Sequence, residues 1–270
     1  MKAKQIEKLA ILTLLILFAI QSKAVDGVIE INHTCAVNAG CFEGDNIGYP
    51  VSIDGVVGSS YKLTSDLIIP DANTNGIEIN VANIHLDLNG FSIIGVDCLV
   101  VSSISFHCRP PSGSGIGVFV TTSFSYGVTI HNGSVIGMGN KGLFVPGRNS
   151  TIKNIHARWN RLHGIEASNH SSLLSNTAYE NGDFGIDCGA YCLIQGNVSN
   201  RNLGDGISAS TGSIIINNVA SDNEGYGLNF GFASSGGSYR ENAFRSNTTG
   251  TVNFGLNLGN NDCNASTVCP

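Results

Sequence analysis

Positive charge is scarce in this sequence: 14 Lys and Arg stand against 20 Asp and Glu in 270 residues. Setting aside a leader read at residues 1–24 removes Lys2, Lys4, Lys8, Lys23 and Glu7 and leaves 10 basic against 19 acidic residues, a net charge of −9. So few cations provide no electrostatic footprint for phosphate backbones or anionic bilayers, which argues against nucleic acid and membrane surfaces as partners. Long apolar runs are missing too. The run from Leu9 to Ile20 is 12 residues, short of the ~20 a membrane-spanning helix needs. Three lysines precede it and Gln21-Ser22-Lys23-Ala24 follows, so it reads as a secretory signal cleaved near Ala24. The mature chain is expected outside the cytoplasm (secreted, periplasmic or at the cell surface), with no membrane span and as a monomer.

Helical spacing is also absent. No apolar pattern of three or four persists over the ~11 residues an amphipathic helix needs, and the abundant Gly and Asn form helices poorly. Period six does not occur, which excludes left-handed hexapeptide helices. Leucine is too sparse for leucine-rich repeats, since between Leu193 and Gly212 only Leu203 joins Leu193. No Cys-x-x-Cys with a nearby His supports zinc, and no phosphate loop, dinucleotide fingerprint or nucleophile elbow is found.

What is present is a repeat. Gly142, Gly164, Gly185, Gly206 and Gly227 recur at 22, 21, 21 and 21 residues, each followed by Ile or Leu. Asn160, Asn181, Asn202 and Asn223 lie four residues ahead of a repeat glycine, and Asn154, Asn176, Asn197 and Asn218 lie nine or ten ahead. A fixed period of this size marks a solenoid whose units bury their apolar faces only against one another. Short alternating runs such as Ile152, Ile155, Ala157 and then Ile165, Ala167 make the units strands. The expected fold is all-β, a single-stranded right-handed parallel β-helix with ~21-residue coils and caps at both ends. Coils ~4.8 Å apart would stack the asparagines into two hydrogen-bonded columns, one ending at Asn247 and the other at Asn242. Asparagine also tolerates the left-handed backbone of a tight turn. Small inward residues (Ala157, Ala178, Ser199, Ala220) would fit beside that turn.

The domain reading is a signal peptide at 1–24, an N-terminal cap at 25–75, the β-helix at 76–250 and a C-terminal cap at 251–270, about six to eight coils in all. Gly95 and Gly137 lie two repeats apart, which places a coil and an inserted loop, Asp97–Ser114, between them. Eight cysteines fall in four close pairs: Cys35/Cys41, Cys98/Cys108, Cys188/Cys192 and Cys263/Cys269. An even count in an exported chain suggests disulfides. Sequence does not settle the connectivity, and local pairing is the simplest choice.

The pattern Asn-x-Ala/Ser-x-x-Asn followed by Gly-Ile resembles the parallel β-helix repeats of the pectate-lyase-like superfamily. So does the opening Gly48-Tyr49-Pro50-Val51, Ser60-Tyr61-Lys62-Leu63 and Leu86-Asp87-Leu88-Asn89-Gly90-Phe91, which is similar to secreted bacterial right-handed β-helix repeat proteins. The resemblance covers residues 27–270. It implies the fold and leaves the function open, since this fold hosts lyases, hydrolases, epimerases, adhesins and inert scaffolds. An extracellular or cell-surface polysaccharide is the expected partner, because a long parallel face suits an extended chain. The Asp-Asp, Gly-His-Gly and Arg-x-Lys of polygalacturonase-like members and the Asp-Pro-His of alginate epimerase-like members are absent. Pectate-lyase-like elimination, in which calcium neutralises the substrate carboxylate and a base removes the C5 proton, has no tight signature to search for.

Stacking arithmetic supplies local candidates. Glu166 and Asp187 lie two residues after a repeat glycine, His163 and Asp205 one before, and Asp183 two before. Pointing outward, they would share one edge as catalytic candidates (His163, Glu166, Asp187, Asp205). Stacked carboxylates ~5 Å apart repel unless protonated or bridged by a cation, which makes Asp183 and Asp187 a candidate calcium site. The competing reading makes them ordinary solvated turn residues. Trp159, the only tryptophan, flanked by Arg158 and Arg161, is the candidate carbohydrate platform; the alternative is packing on the next coil. Glu180, Arg201 and Asp222 continue its column as an ion-pair ladder, and His85 and Asp87 face outward from one strand. The fold requires no cofactor. Three functions follow: a scaffold that binds polysaccharide, a carbohydrate-active enzyme of the lyase type, and a structural or adhesive surface protein.

Overall fold

The computed structural model describes residues 27–55, 57–95, 98, 108–110, 112–121, 126–231, 236–266 and 269. The leader read at 1–24 and most of the insertion read at 97–114 lie outside them.

Three-residue strands carry the architecture, because two apolar side chains flanking one outward residue suit a pleated edge of a narrow coil. In Ile165–Ala167 and Ile186–Cys188 the outer pair is buried and the middle residue faces out. Each strand pairs in parallel with its equivalent one coil on, as Ile165, Glu166 and Ala167 do with Ile186, Asp187 and Cys188. The result is a right-handed parallel β-helix. One sheet has nine strands: Val51–Ile53, Ile77–Ile79, Val118–Val120, Leu143–Val145, Ile165–Ala167, Ile186–Cys188, Ile207–Ala209, Tyr226–Asn229 and Gly250–Asn253. The other strands form a seventeen-stranded array, in which Thr129–Ile136 and Thr151–Arg158 each span both halves of the coil wall. Nine strands make nine coils, more than the six to eight expected. Val51–Ile53 already pairs with Ile77–Ile79, and Asp262–Cys263 with Ala243–Arg245, so stacking extends beyond 76–250 at both ends. Among the described residues the one helix is His33–Asn38, N-capped by Asn32. The four cysteine pairs are all disulfides with the local connectivity, Cys35–Cys41, Cys98–Cys108, Cys188–Cys192 and Cys263–Cys269.

Both asparagine ladders form. In each, the Oδ1 of one asparagine accepts from the backbone N–H and the Nδ2 of its neighbour one coil earlier. Asn181 gives Asn202 two bonds of 3.0 Å, and Asn197 gives Asn218 bonds of 2.9 and 3.0 Å. Two details differ from expectation. The left-handed residue is the one before each ladder asparagine, so Trp159, Glu180, Arg201 and Asp222 carry φ of 52–57° and the ladder asparagines do not. Asn154 is therefore not a rung. It is left-handed and exposed, and Ile155 occupies the rung, donating its N–H to Asn176. The extra residue between Asn154 and Gly164 was the sign of this shift. At the far end Asn261 adds a rung below Asn242.

The repeat glycines are required by close approach. A Cβ on Gly206 would stand 2.6 Å from Asn223 Nδ2, 2.8 Å from the Ala220 Cβ and 2.9 Å from the Gly227 carbonyl oxygen. The predicted small column is buried as expected, Ala157, Ala178, Ser199 and Ala220, and ends on Phe244, where Tyr239 and Phe230 also fill the coil.

Candidate functional site

Because the nine strands are in register, their middle residues make one outward column. It reads Ser52, Glu78, Phe119, Phe144, Glu166, Asp187, then Ser208, Asn229 and Asn253. A cavity of about 500 Å³ lies over its centre, lined by Phe144, Pro146, Glu166, Asp187, Ser208 and Phe230 among others. It crosses five coils, roughly 19 Å at the ~4.8 Å strand spacing.

One rim carries a cluster of charges. Lys141 Nζ is 2.5 Å from Glu166 Oε2, and His163 Nε2 is 3.3 Å from the same oxygen. His163 Nδ1 is buried, has no hydrogen-bond partner and lies 3.6 Å from Asp183 Oδ2. The His163 ring lies flat on Phe184 at 5.0 Å, and the Lys141 ammonium sits 4.0 Å over the Phe144 ring, itself stacked on Phe119 at 5.5 Å. These aromatic contacts hold the Lys141 and His163 side chains over the column. Asp187 follows Glu166 one coil on. Burial pushes its carboxyl above the usual carboxylate range against the hydrogen bond from Ser208; neighbouring Glu166 adds to the rise, while His163 and Lys141 oppose it.

Four of the predicted residues therefore meet: His163, Glu166, Asp187 and, at the margin, Asp183. Nearest ligand atoms of His163, Glu166 and Asp187 lie within 4.8 Å of one another. Asp205 does not join them. Phe184 occupies its column position between His163 and Asp205, and the Asp205 carboxylate accepts from Tyr226 N–H at 2.6 Å and Asn229 Nδ2 at 2.7 Å. It braces the next turn. Of the three proposed carbohydrate residues, Trp159 and Arg158 touch and Arg161 lies apart. Trp159 donates its indole N–H to Glu180 at 2.7 Å with the Arg158 guanidinium 4.6 Å over its ring. Arg158 lines a cavity on the other sheet, and Arg161 lines a third beside Arg109. Glu180 and Arg201 do pair, at 3.7 Å. His85 is exposed, and Asp87 lies 3.5 Å from His131 Nδ1.

Lys141, Phe119, Phe144 and Ser208 were missed by sequence reasoning, although the signal was there. Phe119, Phe144 and Ser208 lie two residues after a glycine, as Glu166 and Asp187 do, and Lys141 lies one before, as His163 does.

Calcium fits this donor set poorly. It takes six to eight oxygen ligands, whereas the group offers two carboxylates and an imidazole nitrogen, with the Lys141 ammonium already on one carboxylate. Asp183 falls outside the converging group. The zinc-free reading of the cysteines agrees with their disulfides, for no cysteine is free.

The family described as "Right handed beta helix region" matches residues 114–268. No curated protein matches the chain by sequence. Among solved structures, the periplasmic alginate epimerase AlgG is similar over 74% of this chain and 59% of its own, at 15% identity and a TM-score of 0.47. This chain thus spans less than two thirds of that protein's length. The A-module of the Azotobacter vinelandii mannuronan C-5 epimerase AlgE6 is similar over 85% of this chain and 69% of its own, at 15% identity and a TM-score of 0.36. The pectate lyase Pel9A is similar over 80% of this chain and 74% of its own, at 16% identity and a TM-score of 0.41.

Proposed function

For a chain that belongs to the right-handed β-helix family, we propose that this protein is an exported β-helix that binds an extended polysaccharide along the outer face of its nine-stranded sheet. The observation that carries the reading is the cavity of about 500 Å³ over the column from Phe144 to Phe230. A straight, open trough across several coils suits a chain-like ligand better than a compact one, and its polar floor of Glu166, Asp187, Ser208 and Ser210 suits hydroxyls. Four disulfides fit an oxidising compartment outside the cytoplasm, and no described helix is long and apolar enough to cross a membrane. A purely adhesive role would call for a grooveless face, so it ranks below binding.

A second reading, a carbohydrate-active enzyme, is favoured by the convergence of His163, Glu166 and Asp187 in the same trough. Elimination from a polyuronide would ask His163 or Lys141 to take the C5 proton while another cation holds the substrate carboxylate. The ion pair between Lys141 and Glu166 leaves that second cation unsupplied by the described residues of the cluster.

Affinity gel electrophoresis of the purified protein in gels cast with neutral and acidic polysaccharides tests the binding. Retardation by at least one of them is expected, and its loss in Ser208→Trp, which plugs the trough. A variant retarded as strongly as the wild type would place the binding elsewhere.

A further inference from the structure

Glu166 and Asp187 hold the same position on adjacent coils, and both line the trough. Their nearest oxygens lie within 4.8 Å. Paired carboxyls flanking a glycan are separated according to mechanism. Inversion needs room for a water between them and sets them ~6.5–9.5 Å apart, whereas retention through a covalent intermediate sets them ~5–5.5 Å apart. Carboxyls on registered neighbouring strands, with nearest oxygens within 4.8 Å, stand closer to the retaining arrangement than to one that holds a water between them.

Their surroundings differ in the sense such a pair requires. The contacts of Glu166 with Lys141 and with His163 fall on Oε2, and Oε1 is the oxygen assigned here to attack. Asp187 is hydrogen-bonded by Ser208, and burial holds its carboxyl above the usual carboxylate range. Substrate charge follows from the same column. Its charged members, Glu78, Glu166 and Asp187, are all carboxylates, and the nearest lysine is already spent on Glu166. A uronate at the centre of the trough would be repelled; an uncharged sugar would not.

We propose that Glu166 and Asp187 are the nucleophile and acid–base pair of a retaining glycoside hydrolase, acting where the bound glycan carries no carboxylate. In the first step Glu166 Oε1 bonds to C1, the C1–O glycosidic bond breaks, and the Asp187 proton goes to the leaving oxygen. In the second, a solvent water attacks C1 and gives a proton to the Asp187 carboxylate. The C1–Glu166 ester bond breaks, and both carboxyl groups return to their starting states. Lys141 and His163 are positioning residues that orient Glu166.

This rests on the polysaccharide reading above, and the experiment separates the two. Purified protein is run in gels containing uncharged glycans (glucan, xylan, mannan, chitin types) and polyuronides. Each glycan that retards it is then incubated with the protein at pH 5–8 and followed by reducing ends, ultraviolet absorbance and proton NMR of the first anomer released. The expected result is new reducing ends from an uncharged glycan, no unsaturated uronide, and a first product with the anomeric configuration of the substrate. Asp187→Asn should slow release by about 10²–10⁴-fold, and Glu166→Ala should be rescued by azide as a glycosyl azide of inverted configuration. Circular dichroism melts confirm that both variants fold. Retardation without reducing ends, an inverted first product, or an unsaturated uronide would each overturn the hydrolase assignment while leaving binding intact. Absence of retardation by every glycan would instead remove the reading on which it rests.

Discussion

Two columns run side by side through the coils from Asn160 to Asn247 and obey opposite rules. Along the turns, the same residue is repeated: Asn160, Asn181, Asn202, Asn223 and Asn247, each bonded to the next. Along the outer face of the nine-stranded sheet the residue changes at every coil of the trough, from Phe144 through Glu166, Asp187 and Ser208 to Asn229. It repeats only beyond the trough, in Phe119 with Phe144 and Asn229 with Asn253. Repetition marks a partner supplied by the neighbouring coil, since a buried amide needs an identical amide above and below it. Variety at a registered outward position marks residues that face something outside the chain. In a solenoid, departure from the repeat is therefore where chemistry should be sought.

The largest effects should come from breaking the repeated column. Asn202→Ala strips the acceptor from both Asn181 N–H and Asn181 Nδ2 inside the wall. At ~1–3 kcal/mol for each buried group left unsatisfied, a loss of roughly 3 kcal/mol or more is expected, read as a lower urea midpoint. Asn154→Ala, at the exposed position one residue before the true rung, should cost only about 1 kcal/mol, because its left-handed backbone suits Asn better than Ala. Equal losses from the two would sink the distinction between rung and turn residue. Gly206→Ala should cost about 1–3 kcal/mol, because its Cβ meets the Gly227 carbonyl, backbone that cannot step aside.

Breaking the varied column should act in the opposite sense. The raised carboxyl of Asp187 means that the folded state binds more protons than the unfolded state at pH values from about 3.8 up to its folded pKa. Stability contributed by this group therefore falls as pH rises through that interval and stays diminished above it. Asp187→Asn should accordingly unfold at an equal or higher urea midpoint near neutral pH, with a flatter slope of midpoint against pH across the window, even as activity on the glycan is lost. A variant less stable than wild type at pH 7 would show that Asp187 is a structural residue.

Smaller changes are expected at the turn column. Trp159→Phe keeps the ring and removes the indole N–H given to Glu180, so a loss of about 1 kcal/mol with unchanged gel retardation is predicted; weakened retardation would restore the carbohydrate platform. Arg201→Ala should shift the midpoint only slightly at low and high salt, since its solvent-facing guanidinium donates to Tyr179 OH at 3.0 Å and lies 3.7 Å from Glu180.

Much of this could be read from residues alone, for a definite reason. The period of Gly164, Gly185 and Gly206 reports a contact between neighbours one coil apart, so linear spacing and spatial stacking are the same information. The buried alanines belong to this class; the disulfides, 4 to 10 residues apart, follow from closeness in the chain instead. Where the period slips, the reading slipped. Asn154 was assigned one residue out of register, and the left-handed conformation was given to the ladder asparagines instead of the residues before them. Sequence arithmetic also brought Glu166 next to Asp187, because their shared offset from the glycine places them on equivalent strand positions.

The direction in which a side chain leaves its turn is not contained in the period. His163 and Asp205 share an offset, yet His163 lies on Phe184 and reaches Glu166, while Asp205 turns into the next coil to hold Tyr226 N–H and Asn229. Arg158 stacks on Trp159, while Arg161, two residues further on, lines a separate place on the surface. By itself, then, the sequence determined the β-helix, its coil length and its stacked columns, because these follow from interactions repeated at one period. Only the tertiary structure decided which outward residues converge on Glu166, since rotamer, ring stacking and ion pairing across coils depend on unlike neighbours that no period encodes.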